Sequence, residues 1–244
     1  MAAYRPGVKK LTTTSYALLG LLAVKPWSAY ELTRHMQRSS LRLLWPRAES
    51  QFYEEPKNLV AHRLATSARE KRGAGWRTVY RITRKGRAAL REWLSRPGHG
   101  LVTEFEGMLK IAYADSGSKA QLLENLRQLR HHLQALIDLM RRVFEGLLDE
   151  GPTMPERFHI TALVSRFHVA ILRAQADWIA WAMDVVERWP TTRIDAAMAA
   201  ESREILGGLV DELRRLGGKS ARSLRDGEPR GKRWIDARST RGGR

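Results

Sequence analysis

The sequence predicts a mainly α-helical protein with one small β-hairpin in its first hundred residues. Two segments with helical spacing of apolar residues precede a pair of strand-like runs within residues 28–82, and helical spacing then continues to residue 216. The distribution of charged residues also separates the first hundred residues from the rest of the chain. Residues 1–97 contain 20 Lys and Arg against 6 Asp and Glu, whereas residues 98–216 contain 14 against 17. The basic first part is therefore expected to face a polyanion.

An apolar run at residues 16–24 predicts the first helix. Thr13 or Thr14 would cap it, and the inward side chains would be Leu18, Leu21 and Leu22. A secretory signal peptide is the alternative, because the run follows a charged start. Lys25-Pro26-Trp27, however, stands where small residues for cleavage are needed, and the run is too short to span a membrane.

Ser28 and Glu31 have the spacing of a capping box. In this motif the Ser hydroxyl accepts the backbone N–H of the third residue, and the Glu carboxylate accepts the N–H of the Ser. The second helix is therefore expected to start there and to run to about Arg38. Its inner face would carry Tyr30 or Leu32, together with Met36.

The next helix is predicted over about residues 48–63, with an inner stripe of Phe52, Pro56, Leu59 and Arg63. Pro56 should kink it or delay its regular part to about Glu55, since proline removes a backbone hydrogen bond. Asn and Gln can pair with adenine in a major groove, and Lys with guanine or phosphate. The outward side chains are therefore candidate DNA-binding residues: Ser50, Gln51, Tyr53, Glu54, Lys57 and Asn58. An ordinary solvated helix face is the alternative.

Two strand-like runs follow, around the turn Gly73-Ala74-Gly75. In the second run, apolar and polar side chains alternate as in a half-buried strand, with Thr78, Tyr80 and Ile82 on one face and Arg77, Val79 and Arg81 on the other. The basic residues would contact the DNA backbone: Arg69, Lys71, Arg72 and Arg77. A helix followed by a basic hairpin is the plan of a winged helix-turn-helix.

Three stretches, YALLGLLAVKPWSAYEL, WPRAESQFYEEPKNLVAHRLA and RTVYRITRKGRAALREWL, resemble the PadR family of bacterial transcriptional regulators over about residues 11–94. The resemblance implies a homodimer that binds palindromic operator DNA, often as a repressor that a small molecule releases. It also implies that the C-terminal helices hold the dimer. Pro56 departs from the family pattern, in which leucine is common at this position.

Further helices are expected at about residues 84–94, 103–114, 118–148, 156–188 and 194–216. Thr83 would cap the first of these, which would run through Ala89, Leu90, Trp93 and Leu94. The second would carry an apolar side made of Phe105, Met108, Leu109 and Ala112. The long third helix has the narrow apolar seam of an antiparallel bundle or an intersubunit coil, and the last would close the bundle.

These elements suggest three regions. A winged helix-turn-helix domain at residues 1–97 ends at Pro97-Gly98-His99-Gly100, and a helical dimerisation and effector domain occupies residues 98–216. Residues 217–244 are rich in Gly and Arg and should form a disordered basic tail.

Aromatic side chains concentrate on the helix at residues 156–188. Trp178 and Trp181 are three residues apart and share a face. Together with Phe167 they are candidates for the wall of a pocket that binds a small aromatic or hydrophobic effector. The alternative is that they belong to the core of the bundle or the dimer.

The sequence contains no Cys, which excludes disulfides, thiolate zinc sites and Cys nucleophiles. The repeated RFH motif places His159 and His168 on opposite helix faces, so they do not form a metal pair. Gly217-Gly218-Lys219-Ser220 lacks the first glycine of a phosphate-binding loop. We therefore expect no cofactor, no metal, no membrane segment and no enzymatic activity, and the cytoplasm as the compartment.

The leading interpretation is a sequence-specific DNA-binding regulator of transcription. One alternative is a ligand-independent or architectural DNA-binding protein whose helical part only holds the dimer. A second is a protein-interaction module whose basic surface meets an acidic partner or a membrane surface.

Overall fold

The computed structural model describes residues 9–39, 41–73 and 75–224. Within these ranges the first half of the chain contains helices α1 Thr13–Val24, α2 Ala29–Arg38, α3 Leu41–Leu44, α4 Glu49–Ala61 and α5 Arg84–Leu94, and strands β1 Trp27–Ser28, β2 Ala65–Arg72 and β3 Gly75–Ile82. The second half contains α6 Glu106–Ala112, α7 Lys119–Asp149, α8 Phe158–Arg188 and α9 Ala196–Leu224. The expected class, a mainly α-helical chain with a winged helix-turn-helix and a β-hairpin wing, is confirmed.

The predicted capping box starts α2. The Glu31 N–H donates to Ser28 Oγ at 3.2 Å, and the Ser28 N–H donates to Glu31 Oε2 at 2.9 Å. Leu32 and Met36 are buried on the inner face of the helix, whereas Tyr30 is 59% exposed and is not the inner residue.

The prediction that Thr13 or Thr14 caps α1 is wrong by one residue. The helix begins at Thr13, so Thr12 is the cap, and the Thr12 N–H donates to Ser15 Oγ at 2.8 Å. Thr14 is buried instead, and its hydroxyl accepts a hydrogen bond from Trp45 Nε1 at 2.9 Å. The inward leucines of α1 are buried as predicted: Leu18, Leu21 and Leu22.

Helix α4 runs without interruption from Glu49 to Ala61, so its regular part does not begin near Glu55 as the sequence suggested. Pro56 lies inside the helix and is fully buried with Phe52 and Leu59, which places the ring in the core. Arg63 does not belong to this stripe. It lies beyond the helix with a φ of 60°, exposed, where the chain turns into β2.

The sheet has the order β1-β3-β2 and is antiparallel. Strand β1 was not predicted, because a two-residue strand has no periodicity in the sequence. Its residues pair with the inner end of the wing, Trp27 with Tyr80 and Ser28 with Val79. Tyr80 is buried as the alternation predicted, but Val79 is buried too and Thr78 is exposed. Since β1 leads directly into α2, the pairing attaches the wing to the start of that helix.

Apolar side chains of α1, α2, α4 and the sheet form the first core: Leu18, Leu19, Leu21, Leu22, Trp27, Leu32, Met36, Phe52, Leu59, Leu64, Ala65 and Tyr80. Helix α5, capped by Thr83 as predicted, covers α1, and Trp93 stacks on Tyr16 with ring centroids 5.2 Å apart. Ala89 and Leu90 are half-buried against this core. Leu94 is exposed because the last turn of α5 extends past the core.

Helices α7 and α8 form an antiparallel hairpin, in which Lys119 Nζ at the start of α7 donates to Trp189 O after the end of α8 at 2.6 Å. Their facing side chains make a second core: Leu122, Leu126, Leu133, Met140, Leu172, Ile179, Ala182, Met183 and Val186. The connection between the two helices contacts the first core, because Met154 packs against it and Arg157 Nη1 donates to Gly20 O at 3.4 Å.

The predicted inner side of α6 is wrong, since Phe105 is only half-buried and Met108, Leu109 and Ala112 are exposed. The helix instead meets α7 through Gly107. A Cβ at Gly107 would lie 2.5 Å from Leu129 Cδ2, and Asn125 Nδ2 donates to Gly107 O at 3.0 Å. A glycine gives no apolar signal in a sequence, which explains the error.

Helix α9 does not close the bundle as predicted. Its start is held by Met198, which is buried, and by an ion pair between Arg188 and Glu201 at 2.7 Å. Farther along, its apolar side chains are between 46 and 66% exposed: Leu206, Leu209, Val210, Leu213 and Leu216. The helix also continues to Leu224, into the segment expected to be a disordered tail. Residues 225–244 of that predicted tail lie outside the described residues.

We expect Gly86→Ala to lower the free energy of unfolding by about 1–3 kcal/mol, because overpacking forces the backbone to shift. A Cβ at Gly86 would lie 2.1 Å from the Leu64 carbonyl oxygen and 2.8 Å from Ile82 Cγ1. Gly146, inside α7 with no atom within 4 Å of an added Cβ, provides the control. Gly146→Ala should leave stability unchanged or raise it by about 0.5–1 kcal/mol. Equal stabilities of the two variants in urea denaturation would contradict this packing.

Candidate nucleic-acid interface

The outer face of α4 is polar and accessible. The inner stripe of the helix packs in the first core, and this fixes which side faces outward. The structure exposes five of the six residues predicted for this face: Ser50, Gln51, Tyr53, Glu54 and Lys57. At 3.6 residues per turn they share one side of the helix, so the structure brings them together as one surface.

Glu54 and Lys57 form an ion pair on this surface, with Nζ and Oε1 2.8 Å apart. The hydrogen bond from Lys57 lowers the pKa of Glu54, and the same bond raises the pKa of Lys57. Both groups are therefore charged at neutral pH. Because an ion pair between exposed side chains contributes little to stability, Lys57 can leave Glu54 for a phosphate at small cost.

Asn58 is less exposed than the other candidate residues on α4. It is half-buried, and its Nδ2 donates to Glu55 Oε1 at 3.0 Å. The same carboxylate oxygen accepts the hydroxyl proton of Ser15 on α1. Glu55 thus joins α4 to α1 and orients Asn58, a role that the sequence analysis did not assign.

Alongside α4 lies a cleft of about 690 Å³ that the sequence analysis missed. Its walls come from the segment before α1, the start of α1, the loop before α4, and α4 itself. The lining residues include Lys9, Lys10, Thr13, Trp45, Arg47, Glu54, Glu55, Lys57 and Asn58. The pair Lys9-Lys10 was visible in the sequence, but no local pattern could place it beside α4.

The wing carries basic side chains next to an aromatic ring. Arg69 and Lys71 are two residues apart on β2 and therefore lie on one face of the sheet. Their cross-strand partners are Thr78 and Trp76, and the Arg69 guanidinium lies 5.6 Å from the centroid of the exposed Trp76 ring. Arg72 belongs to β2, but its side chain is outside the described residues, as is Ala74 at the turn.

Arg77, the fourth basic residue predicted for the wing, points toward α2. It is half-buried, and its Nη1 donates to Glu31 Oε1 at 2.7 Å. Burial disfavours the charged form of Glu31, yet the hydrogen bonds from the Ser28 N–H and hydroxyl and from Arg77 together lower its pKa to about 2. Arg77 therefore holds the wing against the capping box of α2.

The three effector-pocket candidates lie along one stripe of α8, but none of them lines the groove between α7 and α8. Trp178 packs against the second core, whereas Phe167 and Trp181 are 45 and 46% exposed. Phe167 and Trp178 are separated by eleven residues, about 16 Å along the helix axis. The groove of about 360 Å³ between α7 and α8 is lined by other residues, among them Arg130, Gln134, Ile137, Ala176 and Met183.

Among the described residues, no cluster of three or more His, Asp and Glu side chains is arranged to hold a metal ion. In the same part of the chain, no helix combines the length and the apolar character needed to cross a membrane.

No protein-family model matches the sequence, and no curated protein matches it either. Solved structures do match. Bacillus subtilis PadR in complex with operator DNA is 22% identical with a TM-score of 0.63, covering 72% of this chain and 99% of that one. The same protein with p-coumaric acid has a TM-score of 0.58 at 22% identity, covering 77% of this chain and 100% of that one.

Two further structures have the same fold. A PadR-like transcriptional regulator from Bacillus cereus is 16% identical with a TM-score of 0.60, covering 71% of this chain and 97% of that one. The Vibrio cholerae virulence activator AphA is 19% identical with a TM-score of 0.58, again covering 71% and 97%. The resemblance seen in the sequence is thus confirmed as a shared fold.

We expect Glu31→Gln to lower the free energy of unfolding at neutral pH by about 1–2 kcal/mol, because a partly buried charge-assisted pair with Arg77 is lost. The pKa of Glu31 is lowered from 4.5 to about 2. Its stabilising contribution is therefore complete above pH 4.5 and lost as the pH falls toward about 2. The difference between the wild type and the variant in urea denaturation should shrink over that range.

Glu92→Gln is the matched control, because Glu92 pairs with Arg96 on the exposed surface of α5. It should change stability by no more than a few tenths of a kcal/mol. A difference between wild type and Glu31→Gln that stays constant down to about pH 3 would contradict the lowered pKa.

Proposed function

We propose that this chain is a sequence-specific, dimeric DNA-binding regulator of transcription that acts in the cytoplasm. One observation carries the proposal. The exposed polar face of α4 and the basic wing lie in a fold shared with PadR, which has been solved on operator DNA. A polar helix face suits the major groove, and arginines on a neighbouring hairpin suit the flanking backbone.

Each candidate residue receives a role in this proposal. Ser50, Gln51, Tyr53 and Glu54 face base edges, and Lys57 moves from Glu54 to a guanine or a phosphate. Asn58 extends toward the groove from the side of α4 that borders the cleft. Its hydrogen bond to Glu55 orients it. Contacts to the DNA backbone come from Arg69, Lys71 and Arg72. Arg77 acts indirectly, because it positions the wing.

We further propose that residues 1–97 form the DNA-binding domain and that the helices after residue 98 hold a homodimer. The exposed leucines of α9 support this, because an apolar helix face of this length is stable only when it is covered. A two-fold axis between subunits would set the DNA half-sites about 34 Å apart, or a multiple of that. The operator would then be palindromic.

An effector is part of the proposal. We propose a repressor that a small aromatic or hydrophobic molecule releases, with Phe167, Trp178 and Trp181 as the contacting residues. A relative of this fold binds p-coumaric acid. The contact of Met154 and Arg157 with the first core offers a route by which a change at α7 and α8 could alter the spacing of the DNA-binding units.

A ligand-independent or architectural DNA-binding protein is the second candidate. The observation that favours it is that Phe167, Trp178 and Trp181 do not line the groove between α7 and α8, while Phe167 and Trp181 are nearly half exposed. In that case the role of α8 and α9 is only to hold the two subunits together.

Selection of bound duplexes from a random pool tests the main proposal, and we expect a symmetric consensus. Gln51→Ala should weaken binding to the selected operator about tenfold and leave binding to random duplex unchanged, because only a base contact is lost. Arg69→Ala should weaken both alike and reduce the slope of log K against log salt by about one unit.

Arg173→Ala, an exposed charge on α8, is the control and should change neither affinity. A wild-type chain that binds all duplexes equally at near-physiological salt would refute sequence-specific recognition.

Glu substitutions at Leu209 and Leu213 together should convert the dimer to a monomer, because they place charges on the exposed apolar face of α9. Size-exclusion chromatography with light scattering measures the change, and circular dichroism checks that the chain stays helical. Arg215→Glu introduces the same side chain on the opposite side of α9 and should leave the dimer intact. A dimer that survives the double substitution would place the interface elsewhere.

A further inference from the structure

The cleft beside α4 is lined mainly by basic side chains. Four of them, Lys9, Lys10, Arg47 and Lys57, stand against two carboxylates, Glu54 and Glu55. Its volume of about 690 Å³ is far larger than the space of a single ion, so the cleft can accommodate part of an extended anionic chain.

The two carboxylates of the cleft are already engaged inside the protein. Glu54 pairs with Lys57, and Glu55 accepts hydrogen bonds from Ser15 and Asn58. Lys9, Lys10 and Arg47, by contrast, form no ion pair with any residue that the structure describes. Lys10 and Arg47 consequently carry positive charge that no ion pair within the described residues offsets, whereas the charge of Lys9 contributes to lowering the pKa of Glu54.

The walls of the cleft are held in place at both ends of α4. Before the helix, Trp45 Nε1 donates to Thr14 Oγ1 at 2.9 Å, and the Arg47 guanidinium lies 4.3 Å from the centroid of the Trp45 ring. After the helix, the His62 ring is hydrogen-bonded through Nε2 to the carbonyl oxygen of Lys9 at 2.9 Å. Basic groups therefore flank α4 near its start and near its end.

The length of α4 can be compared with the spacing of phosphates along a DNA strand. Helix α4 has 13 residues and is about 20 Å long, and each DNA strand carries one phosphate per 3.4 Å of helix axis. A strand that borders the groove entered by α4 would present several phosphates along this length. The outer face of α4 and the cleft share Gln51, Glu54 and Lys57, so the two surfaces are continuous.

We infer that the cleft receives the sugar-phosphate backbone of the DNA strand that borders the groove entered by α4. Lys10 and Arg47 contact its phosphates, and Lys9 adds to the attraction. The inference rests on the proposed function and extends it to a second backbone contact, separate from the wing. Such contacts set the register of α4 in the groove and add affinity for any sequence.

Lys10→Ala and Arg47→Ala, made singly and together in the full chain, test the inference. Each single change should weaken the selected operator and a random duplex by the same factor. Each should also reduce the slope of log K against log salt, measured from about 50 to 200 mM, by about 0.9. The double variant should lose about twice as much of the slope as either single variant. Arg47→Lys keeps the positive charge and should therefore retain most of the wild-type slope.

Two controls separate this inference from the proposed function. Arg173→Ala should leave the slope unchanged, and the thermal unfolding midpoint of each cleft variant should match the wild type. If the wild type selects an operator while the cleft variants keep its salt slope, the inference is overturned and the proposed function stands. If the wild type prefers no duplex, the proposed function itself fails.

A site for a free anion would behave differently. Inorganic phosphate, compared with chloride at equal ionic strength, would then raise the thermal midpoint of the wild type but not of Arg47→Ala, and the salt slope of DNA binding would be the same in both proteins. That combination also overturns the inference.

Discussion

The carboxylate of Glu31 is the group on which the N-terminal half of the molecule depends. One oxygen accepts the N–H and the hydroxyl of Ser28, which starts α2, and the other accepts the Arg77 guanidinium from the wing. Ser28 also pairs with Val79 in the sheet. A single side chain thus joins a helix start, a two-residue strand and the wing. The lowered pKa of Glu31 keeps it charged at any physiological pH.

The other carboxylates of this half act in a similar way. Glu55 connects α4 to α1, Glu70 pairs with Arg81 across the wing, and Glu54 pairs with Lys57. The few acidic groups of residues 1–97 are thus used largely within the fold, while a large excess of Lys and Arg remains on the surface. This division gives the N-terminal half a positive surface field.

The helical half follows a different constraint. Its α7–α8 hairpin buries a continuous seam of leucines, but α6 and α9 leave large apolar side chains in water. Hydrophobic surface of this extent favours association over solvation. The proposed dimer would cover it with a second subunit, and the same association would hold two winged units at a fixed spacing.

Local features of the fold could be derived from the sequence alone, because they depend on neighbours within about four residues. The capping box at Ser28, the wing around Gly73 and the inner stripe of α4, apart from Arg63, are of this kind. So was the family resemblance, which the structural matches confirmed as a shared fold. Only the tertiary structure decided the partners of Arg77 and Asn58, the pairing of β1, the cleft beside α4 and the exposure of α9. Each of these joins residues far apart in the chain, and an apolar or charged pattern does not specify which distant surface will cover it.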